Sequence, residues 1–127
     1  MSYGSDIIMT EVRVIIMLEY EVAKKLYEKI MEKAKNSDIE DFSEFYERFL
    51  KSAVDYAANR TAWAFMSYEK QMEDDKSRSR KHDAYMASLN AVCRNLGIEG
   101  IDEIMPDRKA KGNFACYIAL FLSLEQR

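Results

Sequence analysis

The residue that most constrains the chemistry of this chain is Arg60. The apolar positions Ala53, Tyr56 and Ala57 recur at helical steps, and the next step along that stripe lands on Arg60. A guanidinium turned toward a core must meet an acid, carbonyl oxygens or a bound anion, because burying an unpaired charge costs several kcal/mol. Asp83 is the acid the sequence suggests. A structural pair is the plainer outcome, and a ligand site the sharper one. His82 is the only histidine and stands beside Asp83, with Glu69 and Glu73 one helical turn apart upstream. These residue types suit a divalent cation, and Glu69 or His82 could act as an acid or base. The spacing argues against a metal, because Glu73, Asp74 and Asp75 are consecutive and so point in different directions on a helix. A single histidine also excludes histidine-based triads and multi-histidine metal sites within one chain.

Two basic clusters come next. Lys76, Arg78, Arg80 and Lys81 precede an expected third helix, and Arg108, Lys109 and Lys111 open an expected fourth. Basic residues at a helix start oppose the helix dipole, which points instead to an anion held by free backbone amides. Nucleic acid is one candidate anion, yet a pI near 5.3 and the acids gathered between Asp38 and Asp55 argue against a broad footprint on DNA. No serine or cysteine nucleophile has a recognisable setting. Gly97, Gly100 and Gly112 are scattered rather than grouped in a phosphate-binding loop, so no cofactor is implied.

The elements that position these residues are helices. Four glycines and one proline in 127 residues are too few for the turns of a β-rich protein. Ser5 or Asp6 caps a first helix whose stripe Ile8, Val12, Ile15, Val22, Leu26 and Ile30 runs to about Asn36. The β-branched run from Val12 to Met17 also admits a short strand, but helix is the reading taken. Asp38 with Asp41 resembles a capping box that opens a second helix, with Phe42, Phe45, Tyr46, Phe49, Ala53, Tyr56, Ala57, Trp63 and Ala64 inward. Run to Asp74, it would be long enough to call for a kink or break within residues 59–67. Residues 73–80 contain no apolar residue and read as a loop. A third helix puts Tyr85, Met86, Leu89, Val92, Cys93 and Leu96 on one face and ends at Gly97. A connection with one short turn near Asp102 leads past Pro106 to a fourth helix capped by Asp107, whose face is Phe114, Ala115, Ile118, Phe121 and Leu122 and whose apolar last turn should be buried. The expected fold is all-α, one domain over residues 1–127, a bundle of four main helices with the second kinked or broken.

Composition agrees. With 48% apolar and 32% charged residues, the chain can pack a core under a charged surface. Residues 1–75 carry 10 basic and 16 acidic residues, a net of −6, and residues 76–127 carry 9 and 6, a net of +3. Opposite charge on the two parts suits an internally compensated bundle. Cys93 and Cys116 have neither redox nor zinc spacing and read as buried free thiols. No stretch approaches the ~20 apolar residues of a membrane span, no export signal is present, and the cytoplasm is the expected location. Eight Tyr, six Phe and one Trp exceed what a small core needs, so Tyr20, Tyr27, Tyr68 and Tyr117 are candidates for an interface.

The run Arg108-Lys109, then Gly112 to Ile118, together with His82, Ser88-Leu89-Asn90, Arg60, Trp63, Met66, Ser67 and Glu69, resembles short helical bacterial proteins classed as a domain of unknown function, over about residues 56–127. The resemblance implies a bacterial or phage-related cytoplasmic protein and supplies no activity, so no functional residue carries over. It draws attention to the polar positions Arg60, Glu69, His82, Asn90, Arg108 and Asn113, with Lys109 beside them, as one polar network or ligand site. Three functions are then expected in order. The first is a protein-interaction or regulatory module with a protein partner or a homodimer. The second is an enzyme or sensor that binds a small phosphate-bearing anion through Arg60, Arg108 and Lys109. The third is an inhibitor whose acidic residues, from Glu40 to Asp55, occupy a basic groove on a nucleic-acid enzyme.

Overall fold

A computed structural model describes the backbone of residues 3–125 and the side chains of residues 19–125. The described residues form five helices and no strand: α1 (Tyr3–Lys35), α2 (Phe42–Ala64), α3 (Tyr68–Leu96), α4 (Ile101–Ile104) and α5 (Arg108–Glu125). Four are long and α4 is a single turn of four residues. Helix α2 packs most extensively against α3 and α5, and α1 makes smaller contacts with α3, α5 and α2.

α1 stays helical through residues 12–17. β-branched residues there cost only a few tenths of a kcal/mol each, too little to interrupt so long an element. Ser5 and Asp6 lie inside this helix rather than ahead of it, and Ile8, Val12 and Ile15 fall outside the described side chains. The buried line runs through Ala23, Leu26, Tyr27 and Ile30. Val22 sits about a quarter turn from that line and is 42% exposed, which corrects its expected place in the core. Tyr27, expected at an interface, is buried, and its hydroxyl donates to both carboxylate oxygens of Glu125 at 3.0 and 3.2 Å.

Asp38 and Asp41 form no capping box. Asp41 has a left-handed backbone, φ 63°, and its side chain caps nothing, so α2 begins one residue later at Phe42. The break expected within residues 59–67 occurs at its end, where Phe65, Met66 and Ser67 turn the chain. Ser67 Oγ then accepts the Lys70 amide at 3.2 Å and caps α3. Ala64, expected inward, lies in the last turn of α2 and is exposed.

The largest correction is residues 73–80, which are not a loop but the interior of α3. None of these residues is buried, and the segment is held by contacts of its polar side chains, which apolar periodicity does not register. Arg78 lays its guanidinium over the Trp63 ring at 4.7 Å, while Lys70 pairs with Asp74 at 3.4 Å one turn on. Gln71 Nε2 donates to the Trp63 carbonyl at 2.9 Å. Gly97 ends α3 in the left-handed conformation and Asp107 Oδ1 accepts the Ala110 amide at 2.7 Å, so both expected caps are present. The last turn of α5 is only partly covered: Phe121 is buried, but Leu120 and Leu124 are exposed.

Candidate functional site

The centre of the polar cluster is aromatic. Tyr56 on α2 is buried and stacks on Tyr85 of α3, with centroids 5.5 Å apart and ring planes at 19°. The His82 ring meets the same Tyr56 edge-on at 5.3 Å, and the Arg60 guanidinium lies 5.9 Å from its centroid. Tyr85 donates its hydroxyl to the Lys111 carbonyl of α5 at 2.6 Å. Burial pushes the Tyr85 hydroxyl well above its ordinary range, nearby Cys116 and Tyr56 add to this, and Arg60 opposes it.

Arg60 is half-buried and does not meet Asp83. Its Nη1 donates to Asn113 Oδ1 at 3.1 Å and toward Cys116 Sγ at 3.6 Å. Asn113 Nδ2 in turn donates to Glu19 Oε1 on α1 at 2.8 Å. A neutral amide thus stands between a cation and a carboxylate, its oxygen toward one and its nitrogen toward the other, and joins α1, α2 and α5. Gly112 makes room for this, because a Cβ there would stand 3.1 Å from Arg60 Cζ.

Arg108, at the start of α5, brings Nη2 to 3.4 Å from both ring nitrogens of His82. A group equidistant from both lies along neither lone pair, so the contact is undirected packing. His82 Nδ1 lies 3.2 Å from the carboxylate of Asp83, the acid expected for Arg60. Arg60 with Asn113, and His82 with Arg108, are therefore brought together around Tyr56. Glu69, Asn90 and Lys109 are exposed and take no part in these contacts. Glu69 lies roughly 20 Å along α3 from His82, and Asn90 about 12 Å beyond it. Among the described residues no group of three or more His, Cys, Asp or Glu side chains could hold a metal. Lys76, Arg78, Arg80 and Lys81 lie inside α3, so the helix-start argument for an anion there fails, whereas Arg108, Lys109 and Lys111 do occupy the first turn of α5.

Sequence reasoning missed several members. Glu19 and Tyr56 carried no signal beyond their helical positions. Gly112 did carry one, since a glycine inside a helical pattern marks a close approach. Two apolar surface features also stand out, and of their apolar residues only Tyr68 was expected at the surface. At the α2–α3 turn Phe65, Tyr68 and Met72 are 87%, 74% and 61% exposed. Near the other end of α3 an apolar cleft of about 390 Å³ is lined by Val22, Leu26, Ile98 and Ile104, with Lys25 and Lys29 at its sides. Compared with known proteins, the chain matches no family model, and no curated protein or solved structure is significantly similar to it. Among the described residues no helix is long and apolar enough to cross a membrane.

Proposed function

We propose that this protein is a helical interaction module whose four long helices form a bundle that displays apolar surfaces to a protein partner. The observation that carries this reading is the α2–α3 turn. Three large apolar side chains there, Phe65, Tyr68 and Met72, are each more than half exposed and lie within eight positions of one another. Removing such side chains from water favours association by about 25 cal/mol per Å² of apolar surface. The polar cluster supports the same reading by its form. Arg60 donates to Asn113 and Asn113 to Glu19, a chain that ties three helices together as a structural network does.

A benzophenone side chain placed at Tyr68 and irradiated in the producing cell tests the reading. Discrete protein adducts that disappear with Phe65→Ser are the expected result, and irradiation that yields no adduct at all overturns it. A small phosphate-bearing ligand is the second reading. It rests on Arg108, exposed at the start of α5 with Lys109 beside it and without a carboxylate partner among the described residues. Phosphate-dependent protection of the fold that Arg108→Ala removes would favour it.

A further inference from the structure

The exposed turn and the apolar cleft match each other in pattern as well as in polarity. Tyr68 and Met72 stand four positions apart on α3, and Glu69 and Glu73, also four apart, follow each by one residue. Val22 and Leu26 stand four apart on α1, with Lys25 and Lys29 spaced the same way. Residues four apart are neighbours on one helix face at about 6 Å, so the acid pair and the lysine pair share one repeat. Both charged residues lining the cleft are lysines, and among the described residues neither is in an ion pair. Residues 68–75 carry one base and four acids. A two-turn apolar seam flanked by acids on one side and bases on the other is how short helices choose partners in coiled coils. The two features cannot meet within one chain. The turn opens α3 and Ile98 lies just past its end, and a helix of that length spans roughly 43 Å.

We infer that the cleft beside α1 receives the α2–α3 turn of a second copy of this chain, with Phe65, Tyr68 and Met72 against the exposed Val22 and Ile104, over a floor formed by the buried Leu26 and Ile98, and Glu69 and Glu73 on Lys25 and Lys29. The inference rests on the interaction reading above and names its partner. Each contact uses a turn from one copy and a cleft from the other, so either a closed pair or a longer chain keeps the same chemistry.

Mixing complementary variants tests this. Sedimentation of the wild-type chain up to about 100 µM should show self-association. Phe65→Ser spoils every turn and Val22→Glu every cleft. Each variant alone should lose affinity at least about tenfold while keeping the wild-type circular dichroism, since both positions are exposed. An equimolar mixture keeps one intact turn and one intact cleft and should recover a 1:1 pair. In the charge arm, Lys25→Glu with Lys29→Glu should weaken association, and a copy carrying Glu69→Lys with Glu73→Lys should restore it. A monomeric wild-type chain, or a mixture that stays monomeric, overturns the second-copy inference. Adducts at position 68 that contain a different protein leave the interaction reading standing in that case, whereas the absence of all adducts removes both.

Discussion

The guanidinium of Arg60 on α2 reaches Asn113 on α5, 53 positions away, at 3.1 Å, and it does so across a glycine. Asn113→Ala should cost about 1–2 kcal/mol in urea unfolding, because it leaves both Arg60 and Glu19 without this partner. Gly112→Ala separates two effects. Alanine favours helix by about 0.8–1 kcal/mol, but its Cβ displaces Arg60. The substitution should be near neutral in the wild-type background and stabilising by about 1 kcal/mol beside Arg60→Ala. Equal effects in both backgrounds would show that the close approach does not matter.

Tyr85 is fully buried, and its hydroxyl has one partner, the Lys111 carbonyl. Tyr85→Phe keeps the ring and its stack on Tyr56 while removing that bond. A loss of about 1 kcal/mol in thermal or urea unfolding is expected. A loss several times larger would mean that the ring stack itself had been disturbed.

The interior of α3 can be checked at Ser79, which is exposed in the middle of the segment that reads as a loop in sequence. Ser79→Pro should destabilise by about 3 kcal/mol or more, because proline removes a helical hydrogen bond and clashes with the preceding turn. Ser79→Ala should stabilise slightly. Wild-type melting of the proline variant would restore the loop.

Burial pushes the Cys93 thiol up to about 11 from an ordinary 9.0. Between those values the unfolded chain has released the proton and the native chain retains it, so the contribution of this thiol to stability is constant below about pH 9 and falls as pH rises toward 11. Tyr27 and Tyr85, also raised chiefly by burial, extend the fall to still higher pH. Urea unfolding across this range should show the decline, with a smaller early slope in Cys93→Ala. In the native protein near neutral pH Cys93 should resist thiol reagents until the chain unfolds.

Helical class, the cap at Gly97, the cap at Asp107 and the inward lean of Arg60 were all determined by the sequence itself. Each depends on one residue type at one local spacing, and local sterics act the same way in any fold. The break near Ser67 was legible for the same reason, as a helix that would otherwise run too long.

The partners of the candidate residues were decided only by the tertiary structure. Arg60 had Asp83 as its obvious acid, but Asp83 sits at His82, and it is the packing of α5 on α2 that delivers Asn113 instead. Glu69 and Asn90 are separated from His82 because α3 is continuous, a fact hidden by residues 73–80. Those residues lack apolar side chains, and their coverage comes from Arg78 lying on Trp63, a contact between two helices that no periodicity records. Exposure of Phe65 and Val22 was hidden likewise. Apolar periodicity shows which residues can be buried, and only the placement of neighbouring helices decides which of them are.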